Sequence, residues 1–134
     1  MTSYFHFNGS LVPADSVCIP ATDRSYLFGD GLFETIAVVG GQPRFWQAHM
    51  DRLGEGCERL GLPLTPQAVL LRELNTVAAG HPNCVARIVI TRGSSGLGYV
   101  PPEAVSATRI VSSHTWPLQQ ADGSFRSEAL GSSN

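Results

Sequence analysis

At 134 residues the chain is long enough for one domain with a hydrophobic core. Hydrophobic residues make up 43% and charged residues 15%, a globular rather than a disordered balance. A net charge of −2 excludes a non-specific nucleic-acid or anionic-membrane binder and leaves small-molecule or protein partners.

All 9 basic residues are arginine; the chain contains no lysine. Cys18, Cys57 and Cys84 are widely spaced with no CxxC pair. Such a set fits reduced, buried thiols better than a disulfide framework or a zinc site, so no metal is expected. Met1 to Asn8 has neither the basic start nor the apolar run of a signal peptide. No window approaches the roughly 18 apolar residues needed to span a bilayer. The expectation is a cytoplasmic, single-domain protein.

In chain order, Tyr4 to Phe7 and Leu11-Val12 flank Asn8-Gly9, the strongest short hairpin signal. Pro13 to Thr22 reads as a loop, and Asp23 as the N-cap of a short helical turn. Gly29-Asp30-Gly31 breaks that turn. Leu32 to Val39 is a β-rich run ending at the Gly40-Gly41 turn, with Pro43 to Trp46 as the return strand. Phe45, His49, Leu53, Cys57 and Leu60 then fall at helical spacing, which predicts a helix over Gln47 to Leu60 with one buried face. Gly54 and Gly56 each weaken that helix by up to about 1 kcal/mol relative to alanine. Gly61 and Pro63 end it.

Thr65 followed by Pro66 predicts an N-cap and a first helical position for a second helix carrying Val69, Leu70, Leu74, Val77 and Ala78, stopping at Gly80. Cys84 to Thr91 and Ala107 to Ser113 are apolar runs of strand length, separated by a Gly/Ser-rich loop from Arg92 to Pro102. The order β-β-β-β-α-α-β-β predicts an α+β domain, two helices packed on a mainly antiparallel sheet. Gln119 to Asn134 is polar and rich in glycine and serine.

Three segments carry candidate chemistry. The first is Asp23-Arg24-Ser25-Tyr26-Leu27-Phe28-Gly29-Asp30-Gly31-Leu32-Phe33-Glu34-Thr35, a tight turn before a buried strand. Alone it also reads as a structural turn with an aspartate bonding its own backbone. The second is His49-Met50-Asp51-Arg52-Leu53. His49 and Arg52 are three apart and share a helix face, and the planar fork of Arg52 suits a carboxylate or phosphate. The competing reading is an internal salt bridge from Arg52 to Glu34 or Glu55. His49 by itself reads as a satisfied core histidine. The third is Thr91-Arg92-Gly93-Ser94-Ser95-Gly96-Leu97-Gly98-Tyr99, a glycine-rich loop without the GKS or GKT of a P-loop. On its own it reads as a flexible connection.

In this order and spacing the three segments are specific. The chain resembles the N-terminal half of a fold-type IV pyridoxal-phosphate enzyme, the class IV aminotransferase family, and is most similar to its aminodeoxychorismate lyases. The resemblance covers roughly Tyr4 to Pro117. It implies an N-terminal small α+β domain over 1–117 and an interdomain linker or tail over 118–134.

The resemblance also implies site residues. Arg52, at the arginine of the HxxRL helix, would bind the phosphate of pyridoxal 5'-phosphate. Phe33 and Thr35, on the strand after the GDG turn, would line the cofactor and substrate pocket. Relatives that trap a substrate carboxylate can use a tyrosine at the position of Phe33. The TRG loop would reach toward the neighbouring subunit of a homodimer formed through this domain. Leu97 stands where many lyases carry an arginine, and Tyr99 would be a pocket residue.

The family's Schiff-base lysine lies on a strand of the second domain, and Phe125 to Asn134 resembles the approach to that strand. These residues therefore supply no catalytic lysine, and weak or no cofactor binding and no activity are expected of them alone. The implied function is elimination of pyruvate from 4-amino-4-deoxychorismate to give 4-aminobenzoate for folate synthesis. The alternatives are part of a D-amino-acid or branched-chain aminotransferase, or a non-catalytic binding or assembly module.

Overall fold

The structure, a computed structural model, describes residues 3–94 and 107–116. Strands β1 (Tyr4–Phe7) and β2 (Ser10–Pro13) pair in antiparallel register, Tyr4 opposite Pro13 and Phe7 opposite Ser10. Asn8 and Gly9 between them have φ of 51° and 87°, the positive pair that a type I′ turn demands. The Asn8 side-chain oxygen then accepts the Arg109 N–H at 2.7 Å, which stitches this hairpin to the last strand.

A 3-10 turn over Ala14–Ser16 leads to the short helix α1 (Arg24–Phe28). Asp23 caps it as predicted, accepting the Ser25 N–H at 2.9 Å. Then come β3 (Gly31–Val39), β4 (Gln42–Pro43), α2 (Trp46–Leu60), α3 (Gln67–Ala78), β5 (Cys84–Thr91) and β6 (Thr108–His114).

The six strands form one antiparallel sheet in the order β2-β1-β6-β5-β3-β4. Alternation along the strands sorts their side chains to two faces. Glu34, Ile36 and Val38 of β3 and Cys84, Ala86, Ile88 and Ile90 of β5 are buried on the face that carries α2 and α3. Leu53, Leu70 and Leu74 from the helices close the core against them. The α+β expectation of two helices on an antiparallel sheet holds.

Several local expectations give way. The return strand over Pro43 to Trp46 shrinks to Gln42–Pro43. Phe45 adopts a left-handed φ of 54°, so the chain turns away and α2 starts at Trp46. That turn also takes Phe45 out of the helical stripe and leaves it 72% exposed; Leu60 at the far end is exposed too. The buried face of α2 is Met50, Leu53 and Cys57.

Thr65 does not cap α3. Pro66 occupies the cap position with no side-chain cap bond, because the Thr65 hydroxyl accepts from Arg109 Nη1 at 3.1 Å instead. Of the three cysteines expected inside, Cys57 and Cys84 are buried but Cys18 is exposed, lying in the irregular segment before α1. Burial pushes the Cys57 and Cys84 thiols up, which keeps them protonated and unreactive.

Candidate functional site

The first and third motifs meet in one polar knot. Asp30 Oδ2 accepts the Nε–H groups of Arg24 at 3.0 Å and of Arg92 at 2.7 Å, and all three side chains are nearly buried. Arg92 also donates through Nη2 to the carbonyl of Leu60 at the end of α2. Asp23 accepts from the hydroxyls of Ser25, Thr91 and Thr108, so it ties α1 to both β5 and β6. Backbone bonds run in parallel, from Arg24 N–H to the Gly93 carbonyl and from Arg92 N–H to that of Asp30.

Gly31 completes the junction. A Cβ there would stand 2.9 Å from the Ile90 carbonyl oxygen, so β3 and β5 approach this closely only with glycine. Burial acts to raise the carboxyls of Asp23 and Asp30. The hydrogen bonds from Ser25, Thr91 and Thr108 to the one, and the two arginines beside the other, outweigh it and hold both below the usual range. The GDG and TRG motifs are thus each other's anchors.

This knot holds the start of β3, whose outer edge has no strand partner before Val38 among the described residues. A cleft of about 510 Å³ wraps that edge. Leu32 and Glu34 line it from the helix-bearing face and Phe33 and Thr35 from the open face. Arg52, Glu55, Gly56 and Arg59 of α2 form its other wall. A Cβ on Gly56 would lie 2.7 Å from Leu32 Cδ1, so this glycine lets the two walls come together.

Within the cleft Arg52 makes a side-on pair with Glu34. Its Nε–H donates to the carboxylate at 3.0 and 3.2 Å and its Nη2 at 2.8 Å. His49 Nδ1 lies 2.6 Å from Glu34 Oε1 and donates to it. The salt-bridge alternative read from the sequence is therefore made, to Glu34, and it leaves Arg52 70% exposed. Burial acts to raise Glu34, but the bonds from Arg52 and His49 prevail and hold it below the carboxylate range. Glu34 in turn raises the guanidinium of Arg52. A guanidinium has five N–H donors, so Nη1 and the outer hydrogen of Nη2 stay available for an anion.

Phe33 and Thr35 lie on β3, where they line the cleft and are exposed. Leu97, Tyr99 and the segment 118–134 lie outside the described residues. One residue escaped the sequence reading. Arg87 stands on the open face beside Thr35 and Ser112, its guanidinium 4.6 Å from the centre of the Phe33 ring. Strict alternation through Cys84 to Ile90 was the available signal, because an arginine centred in an apolar strand must point away from the core. His114 lies nearby, its imidazole lowered by burial and by the charge of Arg87.

Among the described residues no group of three or more His, Cys, Asp or Glu side chains is placed to hold a metal ion. None of the described helices is long and apolar enough to cross a membrane.

A family model described as amino-transferase class IV matches residues 31–132. The chain is 29% identical over 113 residues to the aminodeoxychorismate lyase of Vibrio harveyi, an alignment covering 84% of this chain and 42% of the lyase. Its fold superposes on the crystal structure of 4-amino-4-deoxychorismate lyase from Pseudomonas aeruginosa with a TM-score of 0.72 and 38% identity, covering 87% of this chain and 41% of that one. The branched-chain amino acid aminotransferase of Escherichia coli gives a TM-score of 0.79 at 22% identity, over 91% of this chain and 43% of that one, a likeness of fold. The chain thus spans about two-fifths of the length of these relatives. With the family model covering most of its residues, this chain belongs to the class IV aminotransferases.

Proposed function

We propose that this chain forms the N-terminal domain of a pyridoxal-phosphate-dependent 4-amino-4-deoxychorismate lyase, which releases pyruvate and 4-aminobenzoate. The observation that carries the reading is the Arg52 guanidinium, anchored on Glu34 and open to a cleft walled by Phe33 and Thr35. The parallel outer N–H bonds of Nη1 and Nη2 on this planar cation match the oxygens of a phosphate dianion, so the donor chemistry fits the cofactor. When bound, pyridoxal 5'-phosphate supplies an electron sink for bonds broken beside the substrate nitrogen.

The chain's own residues then bind and orient. Arg52 takes the phosphate, Phe33 covers an apolar face and excludes water, and the Thr35 hydroxyl offers a donor or acceptor at the cleft mouth. Arg87, exposed beside Thr35, supplies a second guanidinium suited to a substrate carboxylate. The amine that moves protons must come from outside these residues, which hold no lysine. The alternative of an aminotransferase is favoured by one observation, Leu97 in place of an arginine that would serve the lyase substrate. A homodimer formed through this domain and a cytoplasmic setting belong to the same proposal, supported by the exposed Tyr26 and Phe45 and by the scattered cysteines.

The test is titration of the isotopically labelled chain with pyridoxamine 5'-phosphate, which carries the phosphate and ring without the aldehyde. Amide shifts confined to Leu32 to Thr35 and Glu55-Gly56, abolished by Arg52→Ala, are expected. Equal affinity in Arg52→Ala overturns the assignment. Joined to a lysine-bearing second domain, the protein should form 4-aminobenzoate. Amino-group exchange between amino and keto acids without that product selects the aminotransferase reading.

A further inference from the structure

We propose that Glu34 is a positioning residue which, braced by His49, fixes the Arg52 guanidinium so that its outer N–H edge meets the ligand phosphate. The inference rests on the reading of Arg52 given above. The two partners of the ion pair differ sharply in burial. The Glu34 side chain is 6% exposed while its partner is 70% exposed. An ion pair with so exposed an arginine returns little stability, whereas taking a carboxylate out of water is costly. Glu34 moreover stands in the helix-facing row of β3, next in line to the fully buried Ile36 and Val38. A carboxylate placed there for stability alone is a poor choice, and an apolar side chain would serve the core better.

The geometry gives it another use. Glu34 engages Nε and Nη2, the inner edge of the fork, and leaves Arg52 only its outer edge to offer. His49, one turn before Arg52 on α2, donates to the same oxygen at 2.6 Å and stops the carboxylate from rotating. A long exposed side chain ordinarily samples many rotamers, and ordering it weakens binding. Here that ordering is done before the ligand arrives. Opposing this, the negative charge of Glu34 also repels a phosphate, so the sign of the effect on affinity decides between positioning and mere neutralisation.

The experiment measures dissociation constants of pyridoxamine 5'-phosphate and, separately, inorganic phosphate for the full chain by NMR titration. Glu34→Gln should weaken both about tenfold, the scale of one lost ordering contact, and Glu34→Asp should recover part of the loss. Arg52→Lys should cost about tenfold in the parent but no more than about twofold beside Glu34→Gln, since a lysine is a point charge that cannot span carboxylate and phosphate together. Tighter or unchanged binding in Glu34→Gln, or strictly additive losses, overturns the proposal. A variant-free readout stands beside these. The Arg52 Nε–H resonance of the unliganded chain should be sharp and slow to exchange; an averaged, solvent-exchanging signal also overturns it. Loss of binding in Arg52→Ala with no effect of Glu34→Gln refutes positioning alone. No effect of Arg52→Ala refutes the phosphate assignment as well.

Discussion

Asp30 and Arg92 meet at 2.7 Å across 62 positions of sequence, and that one bond joins the turn before β3 to the end of β5. It is made between side chains that are 9% and 3% exposed, with Arg24 as a third, equally buried member. The cleft depends on it at second hand, because it fixes where Leu32 to Thr35 leave the turn.

Asp30→Asn should therefore destabilise the chain by about 3 kcal/mol, the cost of leaving a buried cation without its counter-charge. Urea unfolding measures it. A loss below about 1 kcal/mol would mean that water reaches both arginines and that the knot is not a closed one.

Glu73 and Arg109 make a second pair, bidentate at 2.9 and 2.8 Å, with Glu73 buried on α3 at 2% exposed and Arg109 half-buried. Arg109→Met leaves that carboxylate alone beside His6, whose Nδ1 has no hydrogen-bond partner among the described residues. A loss of about 3 kcal/mol is expected, and Glu73→Leu in the same chain should restore most of it. Failure of the double substitution to recover stability would show that the pair shapes the α3–β6 contact and does more than balance charge.

The two glycines of α2 should respond oppositely to alanine. Among the described residues a Cβ on Gly54 meets only Leu64 at 3.7 Å, an ordinary contact, so Gly54→Ala should gain up to about 1 kcal/mol of helix propensity. On Gly56 the Cβ stands 2.7 Å from Leu32 Cδ1, and displacing Leu32 should cancel that gain or exceed it. Thermal melts compare them. Equal stabilisation by both substitutions would show that Leu32 moves freely.

Acid should weaken the fold through Asp23, Asp30 and Glu34. Each is held below its ordinary value when folded, so the unfolded chain binds protons more readily as pH falls. Their contribution is fully present above the unfolded carboxylate range near pH 4 and is lost as pH drops through the lower folded values. Unfolding free energies from these groups should be level between pH 7 and about 5.5 and fall steeply below about 4.5. Glu34→Gln should shallow that fall, and an unchanged slope would contradict the pairing with Arg52 and His49.

Much of this was legible in the chain before folding. Strand and helix positions follow from local alternation and periodicity. Asn8-Gly9 specifies its turn and Asp23 its cap through atoms only a few bonds away. The motif order pointed to the family. What stayed hidden was set by partners distant in sequence. Phe45 left the helical stripe because β4 ends at Pro43 and its own backbone turns left-handed, Thr65 was claimed by Arg109, and Arg87, sent to the open face by alternation, gained its neighbours only when β3 and β6 flanked β5. The sequence could offer Arg52 either Glu34 or Glu55; only packing α2 against the edge of β3 chose Glu34 and left the outer half of the guanidinium open to the cleft. Local geometry is fixed by short-range sterics and hydrogen bonds, whereas the partner of a long charged side chain depends on which surfaces the whole chain brings together.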